Sequence, residues 1–219
     1  MSRVKLNLIA AACENMGIGV NGALPWRLKK EMTYFATMTT KVSDPSKVNA
    51  VIMGRRTWDC IPNQYRPLKN RVNIVLTHHV DSVKEKVILH SLLSLVVVPG
   101  LDEAVEYIEG REDVESTWVI GGSSIYAVKP MTVGVDVFLS GDRESVNVRW
   151  DTVRIGGAAM SHQNCGKIYL TEIQKSFDCD TFFPNIDKQQ YHLVDEEDIP
   201  GEKQLEGDIS YYYRVYKKL

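Results

Sequence analysis

Val48-Asn49-Ala50-Val51-Ile52-Met53-Gly54-Arg55-Arg56-Thr57-Trp58-Asp59-Cys60 carries the pattern that decides the fold. Val48–Met53 is almost continuously apolar and too short for an ordinary helix, which predicts a strand covered on both faces. Gly54 interrupts it, and a short helix through Cys60 follows. The same order returns at Thr117–Ile120, where a strand runs into Gly121-Gly122 and a helix starts at Ser123. Strands that alternate with helices predict a parallel α/β sheet. Working outward, Val4–Cys13, Arg71–Thr77, Val87–His90 and Lys167–Ile173 read as further strands. Leu24–Met38 reads as a helix through the spacing of Leu28, Met32, Phe35 and Met38, and Leu101–Glu109 as another through Leu101, Ala104, Val105 and Ile108. Tyr191–Asp195 and Tyr211–Tyr216 suggest an antiparallel pair joined by an acidic loop. The expected architecture is one α/β domain: a mostly parallel twisted sheet with an antiparallel C-terminal edge and helices on both faces.

Composition narrows the function classes. The chain has 219 residues, 44% of them hydrophobic, enough for a substantial core in a single domain. Its formal net charge of −2 supplies no global field for nucleic acid. Cys13, Cys60, Cys165 and Cys179 show no Cys-x-x-Cys pair and no histidine at zinc-ligand spacing, so no metal is expected and free thiols in a reducing compartment are. The apolar run Leu6–Cys13 is too short to span a bilayer and leads into a glycine-rich turn unlike a signal peptide. A cytoplasmic location without membrane attachment is the expectation.

Three segments carry candidate chemistry. Gly54-Arg55-Arg56-Thr57 puts two cations and a hydroxyl where a helix begins, and Gly121-Gly122-Ser123-Ser124 puts two hydroxyls after glycines that allow close backbone approach. Each alone is an ordinary strand–helix turn; two in one chain suggest a ligand with several phosphates. Neither is the Gly-x-Gly-x-x-Gly fingerprint of a Rossmann site. The third is Met16–Trp26, whose Gly17, Gly19 and Gly22 and Pro25-Trp26 end suit a loop that closes over ligand. Glu31 follows on the apolar face shared with Leu28 and Phe35. By spacing it is either a flanking residue or an acid in an apolar pocket, where burial raises a carboxylic pKa and suits proton transfer.

Met16–Trp26, Val51–Trp58, Arg66-Pro67-Leu68-Lys69-Asn70-Arg71, Val119–Tyr126 and Asp180–Pro184 occur in the order in which similar segments occur in animal-type dihydrofolate reductases, and the sequence resembles that family. The resemblance implies NADPH-dependent reduction of 7,8-dihydrofolate to tetrahydrofolate, by hydride transfer to pterin C6 with protonation at N5, in support of thymidylate, purine and amino-acid synthesis. It assigns catalysis to Glu31, with Trp26 holding an ordered water and Thr171 bonding the acid. Substrate contacts fall to Ile9, Glu31, Phe35, Ile61, Leu68 and Arg71, the last gripping the glutamate carboxylate. By local pattern alone Phe35, Ile61 and Leu68 are core residues, Thr171 a strand threonine and Arg71 a surface charge. The implied cofactor contacts are Ala11, Ile18, Gly19, Gly22 and Leu24 for the nicotinamide, and Gly54, Arg55, Arg56 and Thr57 for the phosphates. Leu76, Thr77 and His78 would lie at the adenosine end, and Gly121, Gly122, Ser123, Ser124, Ile125 and Tyr126 at the pyrophosphate and ribose. Arg55 and Thr77 would favour the 2′-phosphate. A cis peptide is implied at Gly121-Gly122. Methotrexate-like antifolates are implied ligands, a monomer is the implied state, and RNA binding is implied as a secondary activity at most.

Two segments depart from the pattern. Residues 128–157 divide the helix that starts at Ser123; family-like sequence resumes at Ala159-Met160. This block reads either as translated intervening sequence or as a genuine surface hairpin built from Val133–Leu139 and Val146–Ile155. Residues 92–99, Leu-Leu-Ser-Leu-Val-Val-Val-Pro, replace a short strand–helix link, lack the arginine of relatives, and are an aggregation hazard if exposed. His78 stands where an arginine is frequent. The departures leave open a folate- or cofactor-binding protein without turnover; a reductase for another pterin or pyrimidine is the other alternative, against which Arg71 and the Phe35/Ile61/Leu68 wall speak.

Overall fold

A sheet strand that is apolar at every position must be covered on both faces, and the computed structural model shows how this is done. It describes residues 4–79, 95–126 and 159–219, together with the backbone of two strands, Val135–Ser140 and Arg143–Val148. Strands β1 (Leu6–Ala12), β2 (Gly17–Gly19), β3 (Val48–Gly54), β4 (Arg71–Leu76), β5 (Leu95–Val98) and β6 (Val114–Val119) precede the hairpin β7 (Val135–Ser140) and β8 (Arg143–Val148). Strands β9 (Cys165–Ile173), β10 (Thr181–Phe182), β11 (Tyr191–Val194), β12 (Gln204–Glu206) and β13 (Ile209–Lys218) complete the chain. The main sheet runs β11-β13-β9-β1-β6-β3-β4-β5, with β12 also on β13. From β9 to β5 every pairing is parallel, and β13 joins β9 antiparallel, with β11 and β12 antiparallel to β13. The expected mostly parallel sheet with an antiparallel C-terminal edge is observed.

Helices α1 (Lys29–Thr40), α2 (Arg55–Cys60), α3 (Leu101–Glu109) and α4 (Ser123–Tyr126) cover it. Alternate residues of each strand enter opposite cores. Ala50, Ile52 and Ile74 meet Leu101, Ala104, Val105 and Ile108 of α3 and Ile125 and Tyr126 of α4. Val51, Met53 and Val75 meet Trp58 of α2 and Tyr34, Phe35 and Met38 of α1. Buried Asn49 ties the α1 C-terminus to the sheet: its Nδ2 donates to the carbonyls of Thr39 and Lys41 at 3.2 and 2.8 Å, and its Oδ1 accepts from Ser116 N–H at 3.0 Å. Helix carbonyls that lack an intrahelical partner are thereby satisfied.

Four boundaries differ from the sequence expectation. Helix α1 begins at Lys29 after an extended Leu28, and Pro25 disfavours helical backbone at Leu24, the expected start of the helix. The glycine-rich loop contains β2, paired with β10, which its glycines conceal in the sequence pattern. Residues 92–99 are not merely a link: Leu95–Val98 form edge strand β5 on β4, as a β-branched run favours. In the hairpin the second strand starts at Arg143 and is described through Val148, with Val135 opposite Val148; the remainder of the expected run Val146–Ile155 lies outside the described residues. The expected strand Val87–His90 lies outside the described residues.

The start of α1 has no cap from its own sequence. Glu206, from β12, supplies one across the fold: its two carboxylate oxygens accept from the N–H groups of Lys29 and Lys30 at 2.6 and 2.9 Å. A carboxylate there satisfies free donors and complements the helix dipole, and these bonds hold its pKa below the usual range. Glu206→Ala is expected to lower the melting temperature, and Glu206→Gln, which keeps one acceptor, to recover part of the loss; equal melting temperatures for all three proteins would remove the cap from the account.

Candidate active site

Parallel pairing brings the C-terminal ends of β1, β3, β6 and β9 to one edge, and the candidate residues gather there. Glu31 sits in the first turn of α1 at 5% exposure. Its Oε1 accepts from Thr171 Oγ1 at 3.3 Å. Thr171 lies beside Ala11 of β1 and Tyr213 of β13, so the sheet fixes it. Burial raises the Glu31 pKa to about 7; the Thr171 hydrogen bond acts against this, and the negative Glu206 adds to it. Desolvation disfavours the charged form more than one neutral hydroxyl can offset. Trp26 is buried nearby, edge-on to Phe177 at 5.4 Å, with its Nε1 unpartnered among the described residues.

The three apolar candidates share one cluster. Phe35, Ile61 and Leu68 are half-buried against one cluster that also holds Ile9. Asn73, fully buried, fixes the Leu68 backbone by accepting from its N–H and donating to its carbonyl, both at 2.9 Å. Arg71 is not the surface charge that its pattern permits. It is 9% exposed, its Nη1 donates to Thr39 Oγ1 at 2.7 Å, and its Nε donates to Lys69 O at 3.0 Å. No carboxylate among the described residues pairs with it, and burial lowers its pKa. Thr39 also donates to the Phe35 carbonyl at 2.8 Å, so one hydroxyl joins two candidate contacts. The sequence reading missed Thr39, Asn73 and Glu206. Thr39 lies four residues after Phe35 on the same helix face, a spacing that pointed to it; Glu206 carried no local signal.

The two glycine turns converge. Gly54 N–H donates to Gly121 O at 2.9 Å. A Cβ on Gly121 would lie 3.2 Å, and one on Gly122 3.1 Å, from Thr57 Oγ1, and Gly121 has φ +132°. The Gly121-Gly122 peptide is cis, as expected, and so is Arg66-Pro67. Arg55 lies 3.5 Å from Asp59, whereas exposed Arg56 has no ion-pair partner among the described residues. Ser123 is half-buried and Ser124 exposed. Tyr126 is buried, donating to Ile9 O at 2.9 Å. Leu76 and Thr77 are buried and His78 is exposed; Thr77 Oγ1 accepts from His79 N–H at 3.2 Å. Helices α2 and α4 are six and four residues long. Macrodipoles that short are weak, so what the two turns offer is bare backbone, hydroxyls and arginines. Ile18 and Gly19 are half-buried and Gly22 and Leu24 exposed on the loop above β1.

A carboxylic acid held out of water at the strand ends of a parallel sheet, beside a glycine-lined cationic cradle, belongs to an α/β enzyme. Comparison with known proteins makes the class specific. The family model described as dihydrofolate reductase matches residues 5–137 and 143–218. A dihydrofolate reductase of Heliothis virescens is 71% identical over 219 residues, covering 100% of each chain, and one of Drosophila melanogaster is 35% identical, covering 98% of each. The solved structure of Schistosoma mansoni dihydrofolate reductase matches with a TM-score of 0.70 and 32% identity, covering 99% of each chain. The chain is a member of the dihydrofolate reductase family.

The raised pKa has a consequence for stability. Glu31 binds its proton more tightly in the folded chain than at its ordinary 4.5, so its contribution is fully present below that value and is lost as pH rises through about 7. By the usual conversion the ionised form costs roughly 3 kcal/mol above pH 7. Glu31→Gln is expected to stabilise the fold by up to that order in alkaline buffer and little in acid. Parallel stability–pH curves for the two proteins in urea titrations would contradict the buried acid.

Proposed function

We propose that this chain reduces 7,8-dihydrofolate to 5,6,7,8-tetrahydrofolate with NADPH, in the cytoplasm and as a monomer, and so supplies one-carbon metabolism and thymidylate and purine synthesis. The observation that carries the reading is the pairing of a buried acid, Glu31, in the first turn of α1 with a buried guanidinium, Arg71, bonded to Thr39 near the end of the same helix, neither of them neutralised by an opposite charge among the described residues. A pterin offers adjacent N–H donors to the acid, and the glutamate tail of folate offers a carboxylate to the arginine in a bidentate pair. A shorter pterin or a pyrimidine leaves Arg71 unmatched.

The residues present fit the dinucleotide. Side chains are missing where Gly121 and Gly122 crowd Thr57, and Arg56 is free of acids among the described residues. Gly54, Arg55, Arg56 and Thr57 would hold phosphate, with Arg55, Thr77, Leu76 and His78 at the adenosine end. Gly121, Gly122, Ser123, Ser124, Ile125 and Tyr126 would hold pyrophosphate and ribose, and Ala11, Ile18, Gly19, Gly22 and Leu24 the nicotinamide. NADPH would supply the hydride for pterin C6. Glu31 orients the ring by accepting its 2-amino and N3 protons. With a pKa near the working pH, it exchanges protons readily in either direction. Trp26 Nε1, buried without a partner among the described residues, fits a donor to the water that carries the proton to N5. Methotrexate-like diaminopteridines would present a stronger base to the same acid.

We propose further that residues 128–157 are an insertion that the domain does not require. Ala159 N–H donates to Ile125 O at 2.8 Å. With residues 128–157 removed, Ala159 is the fourth residue beyond Ile125, the position whose N–H continues an α-helix.

Oxidation of NADPH on addition of dihydrofolate tests both proposals. The full chain and the version lacking residues 128–157 are expected to turn over at comparable rates and to prefer NADPH to NADH. Arg71→Leu is expected to raise the dihydrofolate KM by about a hundredfold, the scale of a lost charge-assisted pair, with a smaller change in kcat. Binding of methotrexate without turnover would favour the folate-binding alternative, and loss of folding on deletion would show the block to be integral.

A further inference from the structure

Cys13 directly follows β1, and Cys179 lies 166 residues later in the segment that leads into β10; their Sγ atoms are 3.8 Å apart. Both are free thiols. The pair sits under the anchor of the glycine-rich loop. Gly17 of β2 rests on both sulfurs, since a Cβ there would lie 2.5 Å from Cys179 Sγ and 3.0 Å from Cys13 Sγ. Five hydrogen bonds stitch the loop to the two cysteine-bearing segments. Cys13 N–H donates to Gly17 O at 2.9 Å, and Met16 N–H to Cys13 O at 2.8 Å. Asp180 N–H donates to Gly19 O at 3.0 Å, and Phe183 N–H to Met16 O at 2.8 Å. Asn21 N–H donates to Asp180 Oδ2 at 2.7 Å. The cysteines are differently exposed: Cys179 is partly accessible, and Cys13 is buried with its S–H directed to Asn15 Oδ1 at 3.0 Å.

We propose that Cys13 and Cys179 form a reversible dithiol–disulfide pair that clamps the anchor of the Met16–Trp26 loop. The reaction is thiol–disulfide exchange with a low-molecular-weight disulfide. The Cys179 thiolate, having lost its proton to solvent, attacks one sulfur of the small disulfide, and the other sulfur leaves as thiolate and takes up a proton. The Cys13 thiolate, its proton lost likewise, then attacks Cys179 Sγ in the mixed disulfide, forming the internal bond and releasing the second small thiol. Two protein thiols are oxidised and one small disulfide is reduced to two thiols. Partial exposure suits Cys179 to the first step, and contact suits Cys13 to the second. The bond would fasten the residue after β1 to the segment that leads into β10, on which β2 is paired, so the loop loses freedom at its base. Exposed Cys60 and buried Cys165, whose sulfur lies 3.5 Å from the Tyr191 hydroxyl, take no part.

The test uses the full chain carrying Cys60→Ser, which removes the exposed thiol, exposed to glutathione disulfide, then alkylated under denaturing conditions and digested. The expected product is a Cys13–Cys179 linked peptide two hydrogens lighter than its parts, absent after dithiothreitol and absent in the Cys179→Ser variant. Amide exchange across residues 16–23 is expected to slow severalfold in the linked protein. Full alkylation of both cysteines, or a lasting glutathione adduct on Cys179 with Cys13 free, would overturn the pair. A linked peptide with unchanged exchange would overturn the clamp.

Discussion

Parallel register is the constraint on which the site depends. Val119 of β6 stands opposite Leu8 on one side and Ile52 on the other, and Ala11 of β1 stands opposite Thr171. Those pairings bring the ends of four strands level, so that Gly54 meets Gly121 and the Glu31 helix crosses above Thr171. A slip of one residue would turn every strand side chain to the opposite core. Register is strongly specified here because both faces are covered, by α1 and α2 on one side and α3 and α4 on the other. The site inherits its precision from a sheet that hydrophobic burial has already fixed.

Within that frame the electrostatics are deliberately incomplete. Glu31 and Arg71 are both buried, and each would be more stable paired with the other or exposed to water. Each is instead held by neutral groups: Thr171 for the acid, Thr39 and the Lys69 carbonyl for the base. The proposed ligand, with donors at one end and a carboxylate at the other, would complete both, the desolvation of each group having already been incurred in folding. Glu206 contributes from outside, anchoring the start of α1 while its charge adds to the rise in the Glu31 pKa.

Most of this was legible in the residues, for physical reasons that also explain the misses. The α3 boundaries followed from four apolar positions on one face, and Leu101–Glu109 is the helix observed. Strands β1, β3, β4 and β9 were visible as apolar runs. The start of α1 was misplaced because periodicity extends through Leu24, where the following Pro25 overrides it. Strand β2 was invisible because a glycine-rich triplet has no side-chain pattern, and β5 because its short run lies within residues 92–99, read as an insertion in place of a link. In the site, Glu31, Phe35 and Arg71 were named from the family resemblance, whereas their pattern left them as flanking, core and surface residues. The contacts that position them come from Thr39, Asn73 and Glu206, partners whose roles become visible only when the chain is folded.

The block between Tyr126 and Ala159 posed the sharpest conflict, since a helix interrupted beside the proposed phosphate site ought to compromise it. The geometry removes much of that conflict. Helix α4 is one turn long, so its dipole contributes little, and the groups it would offer to the proposed phosphate are the backbone and hydroxyls at its start. The other end is Ile125 and Tyr126, both buried, with Tyr126 bonded to Ile9 O. The Ile125 carbonyl that a longer helix would satisfy is satisfied by Ala159. The chain thus leaves and re-enters at adjacent points, and a long segment closed between such points costs only slowly more entropy than a short one. What the cradle requires of α4 is its first turn, and that turn is intact.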